Sequence, residues 1–394
     1  FLAVIGSAST CLGAVIFVDS RLPKDCAGTY SIARRDSSGS DGNAYRTIQG
    51  AANVVNPGDT VYIREGTHQH ATTLKVSTFI TIARSGTQDN VITFQNYNNE
   101  RVIIAGVGFT DRQYDDSSWR GSSTHTSENL ILVTGNYIHL RGLELTNAFG
   151  SAIILQGCHN LVEECIAHDN WTTHFGLAMR PSADVVGNVF RNCEGYQSRH
   201  GSGWGGGPSS TVINAQGQQV IHYYRGNVIE DCLFYNNGRH PDLTKVYITS
   251  NDTTGGGNSD GLAWSKNCAD MVDRSTYPVT MGVGNWAKGN VVRGIIAFGN
   301  TDDGGDFSFA ESLVEGNIMF NNGPMGNRAY KILRDNTYNL TFRGNTAFGG
   351  NDFNIRGSNH AFYNNLVLYG PAHFGPIAKN NLAEHNGRLV ASGD

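Results

Sequence analysis

Three carboxylates fall within five residues in Asn300-Thr301-Asp302-Asp303-Gly304-Gly305-Asp306. On a glycine-broken turn, acids this close raise one another's pKa. A hard divalent cation relieves the repulsion, and calcium takes oxygen ligands of this kind. The segment is not an EF-hand, because the twelve-residue loop and its closing Glu are missing. Asp is also favoured in ordinary solvated turns, so the cluster alone does not define a site. Asn258-Ser259-Asp260-Gly261-Leu262 is a second Asp-Gly turn. Lys331 stands alone in Asn327-Arg328-Ala329-Tyr330-Lys331-Ile332-Leu333, among aromatic and aliphatic neighbours. Taken by itself it reads as a snorkelling surface lysine.

These residues need a scaffold that brings distant turns together, and the repeats supply one. Compare GNVIEDCLFYNNG (226–238), GNVVRGIIAFGNTDDG (289–304), SLVEGNIMFNNG (312–323) and NLTFRGNTAFGGND (339–352). Each holds a short alternating strand, a polar break, a second strand and an Asn/Gly turn. Matched positions step by 22 residues from Phe298 to Phe320, 28 from Phe320 to Phe348, and 23 from Asn147 to Asn170. A period in the twenties, with strands and no long amphipathic helix, predicts a β-solenoid whose stacked coils share one core. The expected fold is all-β, a single-stranded right-handed parallel β-helix forming one domain over 1–394. Asn at equivalent turns is expected to form hydrogen-bonded ladders. Ile48, Ala51, Ala52 and Val55 predict a short helix over 45–55, stopped by Asn56-Pro57-Gly58-Asp59, that caps an open end. Residues 1–30 form an N-terminal extension and first strand, the strand falling at Ala14–Val18. Phe1 to Val18 also fits the tail of a signal peptide. Residues 264–288 break the pattern and are expected to loop out, which places Asp260 one coil before the triple-Asp turn.

The ordered set NSDGLA (258–263), GNVVRGIIAFGNTDDGGDFS (289–308), VEGNIMFNNG (314–323) and NRAYKI (327–332) resembles polysaccharide lyase family nine. Its pectate lyases carry an ADGFA-like turn, an NSDDGWDL-like turn and a V-x-IEN strand followed by NGNGFKLG. The usual Trp of the second motif is Gly305 here. The resemblance implies a secreted, calcium-dependent lyase that cleaves a uronic-acid-containing, pectate-like polysaccharide by β-elimination. It implies Asp260, Asp302, Asp303 and Asp306 as calcium ligands and Lys331 as the base. Arg328, Arg334 and Arg356 are candidates for gripping substrate carboxylates through two parallel hydrogen bonds. Trp171, Trp204, Trp264 and Trp286 could stack on sugar rings or pack as lids.

Composition narrows the remaining classes. Lys plus Arg is 29 against 34 for Asp plus Glu, unlike the basic balance of nucleic-acid-binding domains. No run of twenty apolar residues exists to span a bilayer as a helix. The expected partner is therefore an acidic polysaccharide, with no nucleic acid and no membrane, met by a monomer. Seven cysteines include no CxxC pair. Cys11 and Cys26 could pair, while the others read as small buried residues. Asn170, Asn251 and Asn339 head glycosylation sequons. Two rivals remain: an inverting polygalacturonase-like hydrolase using Asp303 and Asp306 as its acid/base pair, and a non-catalytic β-helix adhesin or structural protein.

Overall fold

The computed structural model describes residues 13–69, 78–106, 129–178, 184–206, 212–213, 219–220, 223–238, 259–264, 287–323, 328–332, 337–348, 353–355, 359–368, 377–379, 382–385 and 388–391. Short strands stack coil upon coil into three long sheets of 13, 12 and 9 strands. One coil gives Val291–Arg293 to the first sheet, Ile296–Phe298 to the second and Gly305–Phe307 to the third. The next coil repeats this with Leu313–Glu315, Ile318–Phe320 and Tyr330–Ile332, each strand parallel to its predecessor. Phe298, Phe320 and Phe348 lie in register, as their spacing predicts. Asn147 and Asn170 do not: the Asn170 side chain accepts from the Ala148 N–H, one residue on. That sequence match was out of step because two kinds of Asn share these turns.

Strand alternation decides what faces inward. In the first sheet Phe190, Ile229, Val292, Val314, Phe342 and Phe362 form one buried column. Of the five cysteines read as small buried residues, Cys165, Cys193 and Cys232 are buried, Cys158 is partly so, and Cys268 lies outside the described residues. Cys26 is also buried, while its suggested partner Cys11 lies outside the described residues. On the outer face of the second sheet His168, Tyr196, Tyr235, Phe298 and Phe320 stack ring on ring, 4.9–5.1 Å apart.

The Asn-rich turns have two physical causes, of which the sequence reading gives one. Asn236, Asn321, Asn339 and Asn364 hold the left-handed backbone region, where Asn is tolerated better than most residues. A second set is buried and forms ladders. Asn300 Oδ1 accepts from the Asn237 backbone N–H at 3.1 Å and from its side-chain amide at 2.9 Å. Asn300 Nδ2 donates to the Phe234 carbonyl and to Asn322 Oδ1. Asn188, Asn227 and Asn290 repeat the pattern at one bend, and Asn317, Asn345 and Asn365 at another. Sequons follow the same division: Asn170 is buried within its turn, so folding hides that acceptor, whereas Asn339 is exposed. Asn300→Ala strands several buried polar groups and should cost about 2–4 kcal/mol, read from urea unfolding.

Different elements lie at the two ends. The helix spans Ile48–Ala52, shorter than expected, with Thr47 Oγ1 accepting from the Gly50 N–H and Ile48, Ala51 and Ala52 buried. It lies beside the first strand, Val15–Val18, whose outer edge is covered by Asn43–Tyr45. At the far end Arg388–Ala391 folds back antiparallel on Leu382–His385. Both ends of the predicted 264–288 excursion belong to the sheets, since Leu262–Trp264 is a core strand and Ala287–Lys288 pairs with Tyr224–Arg225; residues 265–286 lie outside the described residues.

Candidate active site

The turn that links the second sheet to the third carries the acids. Asn300 fixes its start, and Thr301 N–H donates to the Asn237 carbonyl on the coil before. Asp302 N–H donates to the Ser259 carbonyl at 3.1 Å, and Asp303 N–H donates to Asp260 Oδ1 at 3.0 Å. Asp260 is set from the coil before its own, its N–H donating to Ser202 Oγ. Asp-Gly recurs here because the coils nearly touch. A Cβ on Gly261 would stand 2.6 Å from the Gly304 carbonyl oxygen, and one on Gly304 would stand 2.7 Å from that of Ala329.

Strand alternation supplies the other two groups. In Gly305–Phe307 the residues at either side face the core and Asp306 faces out. In Tyr330–Ile332, Tyr330 packs into the core against Phe307, Phe342 and Phe353. Lys331 therefore faces out, in register with Asp306. Gly305 stands where the related motif has Trp. A Cβ there would come within 2.5 Å of the Phe307 ring and 3.2 Å of Met319 Cε, so neighbours already fill that space.

The five side chains meet. Lys331 Nζ lies 2.5 Å from Asp303 Oδ2, 3.5 Å from Asp306 Oδ2 and 3.7 Å from Asp302 Oδ2. Only 3% of the Lys331 side chain is exposed, so it is not a snorkelling surface lysine. Burial opposes charge on its amine, yet the fields of Asp260, Asp306, Asp303 and Asp302 together overcome that and raise its pKa. Burial, then the charges of Asp303 and Asp302, push Asp260 well above the usual carboxylate range. Asp303 rises to about 7, chiefly by burial, with Lys331 pulling the other way. The pocket thus holds more negative charge than one ammonium balances.

The donor set fits calcium. One oxygen each from Asp260, Asp302 and Asp303 lies within 4.8 Å of the others. Oxygens bound to one calcium at about 2.3–2.6 Å stand up to about 5 Å apart, so this spacing suits one ion. Asp303 Oδ1 is buried without a hydrogen-bond partner, an arrangement that costs free energy unless a cation is received there. Asp306 adds a fourth carboxylate on the Lys331 side. The same geometry disfavours the hydrolase reading. Asp303 and Asp306 both reach one nitrogen, which holds them closer than the ~6.5–9.5 Å gap an inverting pair needs for its water.

Other expected binding residues fare differently. Arg328 is half-buried, its carbonyl accepting from the Gly304 N–H, while Arg334 and Arg356 lie outside the described residues. Trp204 and Trp264 are fully buried, their rings 4.8 Å apart, so they are core and not sugar platforms. Trp171 is partly exposed and stacks on Phe149; Trp286 lies outside the described residues. Sequence reasoning missed Ser202 as the support of Asp260. Its signal was Ser202-Gly203, in line with Asp260-Gly261 and Asp303-Gly304, since Gly203 N–H donates to the Asp260 carbonyl as Gly261 N–H does to that of Asp303.

Comparison with known proteins agrees with this architecture. Residues 30–239 match the family model described as Pel9A-like, right handed beta helix region. Pectate lyase L of Dickeya chrysanthemi is 25% identical over 343 residues, covering 78% of this chain and 76% of its own. Pectate lyase L of Dickeya dadantii is 26% identical with the same coverage. Among solved structures, pectate lyase Pel9A superposes with a TM-score of 0.60 at 17% identity, covering 94% of this chain and 80% of its own. An alginate lyase from Paenibacillus gives 0.51 at 15% identity, covering 84% and 94%. The chain belongs to the Pel9A-like right-handed β-helix family, the pectate lyase-like polysaccharide lyases.

Proposed function

We propose that this chain is a secreted, calcium-dependent lyase that cleaves a uronic-acid-containing, pectate-like polysaccharide by β-elimination, with Lys331 as the base. The observation that carries the reading is one buried amine, 2.5 Å from Asp303 and close to Asp302 and Asp306, with Asp260 grouped beside Asp302 and Asp303. The relatives named pectate lyase L support it. A polymer too large to cross a membrane places the enzyme outside the cell.

The base removes the proton from carbon 5 of the uronate. The electrons form a double bond to carbon 4, the bond from carbon 4 to the glycosidic oxygen breaks, and that oxygen leaves with a proton from water. The proton is weakly acidic because the new charge develops beside an existing carboxylate. Calcium held by Asp260, Asp302, Asp303 and Asp306 would offset that charge. Lys331 must be neutral to act, which at a reference pKa near 10.4 costs roughly 4.6 kcal/mol at pH 7, and more while the surrounding carboxylates raise its pKa. Arg328, with Arg334 and Arg356, would orient the polymer through its carboxylates.

Two outcomes follow. Since the neutral amine becomes more populated as pH rises, initial rates should climb from neutral pH into the alkaline range; an acidic optimum would contradict a lysine base. The functional test is a screen of polygalacturonate, rhamnogalacturonan and alginate with calcium and with chelator, followed by ultraviolet absorbance. The unsaturated sugar end absorbs and a hydrolase does not make it. Absorbance gained with calcium and lost with chelator supports the reading, while new reducing ends without absorbance, or no cleavage, would refute it.

A further inference from the structure

We infer that Lys331 is the pocket's internal counter-ion, and that its ammonium competes with calcium for Asp303. The inference rests on the calcium-dependent reading above and concerns how that site is regulated. Asp303 is fully buried and spends Oδ2 on the Lys331 amine, while Oδ1 has no hydrogen-bond partner. The same amine also reaches Asp306 and Asp302. Asp260 and Asp302 offer oxygens within 4.8 Å of Asp303, on the scale of a single ion's shell. A divalent ion taken up by this carboxylate sits a few ångströms from the ammonium, and two cations at that distance in a buried site repel strongly. Ion uptake therefore favours departure of the Lys331 nitrogen from Asp303. By linkage, the ammonium weakens ion binding by the same factor. Without calcium the lysine is locked to Asp303 and the pocket is neutralised in part. With calcium the nitrogen would be released from Asp303. The lock makes one event of loading the ion and freeing the base.

The test is calorimetric titration of calcium chloride into the metal-stripped full chain. Lys331→Gln should bind calcium at least ~10-fold tighter than the unaltered protein, because the competing charge is gone. Lys331→Arg, which keeps the charge, should show less than a third of that gain. Equal or weaker binding by Lys331→Gln overturns the inference. If Lys331→Gln does not fold without calcium, it is folded with calcium and unfolded by heat across a series of chelator-buffered calcium concentrations. A stabilisation midpoint at lower free calcium than in the unaltered protein supports competition, and an equal or higher midpoint overturns it. If the unaltered protein takes up no calcium, the calcium-dependent reading fails and this inference falls with it. Uptake by the unaltered protein without a gain in Lys331→Gln defeats the competition alone.

Discussion

Lys331→Ala should lower the rate of elimination by about 10²–10⁴-fold, the range expected when a positioned base is removed. The loss should fall on turnover, since Lys331 faces the pocket and does not support the core. Tyr330 and Ile332, its neighbours on the strand, do that. Stability should respond differently with and without calcium. Breaking a buried ion pair by deleting one partner costs about 3–5 kcal/mol, and Asp303 is buried against this amine. The calcium-free variant should therefore melt lower than the unaltered protein, and calcium should restore most of the difference. Lys331→Arg separates the two roles. A guanidinium keeps the charge but does not deprotonate in proteins, so it should keep more stability than Ala and regain no activity. Absorbance assays and thermal melts read both effects. An active Arg variant would show that Lys331 acts through charge and not as a base.

Asp303→Asn carries the second large effect. It removes the carboxylate that contacts Lys331 and stands against Asp260, while keeping the shape of the turn. Calcium affinity should fall at least ~100-fold, as for loss of one charged ligand at a hard-cation site, and activity should fall with it and recover partly at high calcium. The pH dependence of calcium-free stability should change as well. Burial and mutual repulsion raise Asp260 and Asp303 above the carboxylate range, Asp303 to about 7. The folded pocket thus holds protons that the unfolded chain releases near pH 4. The pocket's contribution to folding stability therefore falls as pH rises from about 4 to about 7, while His68, His139 and His174, whose pKa values burial lowers, contribute a rise over the same range. The raised Lys331 pKa adds a fall of the same sign as the pocket's, but only at far higher pH, where the unfolded lysine loses its proton first. Asp303→Asn should flatten the decline between pH 4 and 7, and saturating calcium should do so in the unaltered protein. Melting curves of both proteins at several pH values with chelator would show this as a stability difference that shifts in favour of Asp303→Asn as pH rises; a difference that does not change with pH, or shifts the other way, would contradict the picture.

Much of the fold was legible because a solenoid repeats its constraints. Each coil repeats the same steps, so Phe298, Phe320 and Phe348, in line on the outer face of the second sheet, mark the register on their own. The pocket was legible for a related reason. Asp260, Asp302, Asp303, Asp306 and Lys331 sit on successive coils, so a correct coil count brings them together whatever the loops do. What escaped depends on neighbours far along the chain. Asn236 and Asn237 are adjacent, yet one holds a left-handed turn and the other joins a buried ladder, and only contact with Asn300 tells them apart. Trp204 looked like a loop aromatic because glycine surrounds it, and Trp264 because it opens the stretch that breaks the repeat. In the fold, Gly206 leaves room for the Trp264 ring, which a Cβ there would approach to 3.2 Å. The burial of Lys331 is likewise a property of stacked coils and not of its local sequence.

The most direct measurement is a crystal structure of the full chain grown with calcium. The account predicts one ion among Asp260, Asp302, Asp303 and Asp306, with oxygens at about 2.3–2.6 Å and Lys331 Nζ moved off Asp303 Oδ2. A calcium ion bound elsewhere, with Lys331 still closed on Asp303, would contradict it.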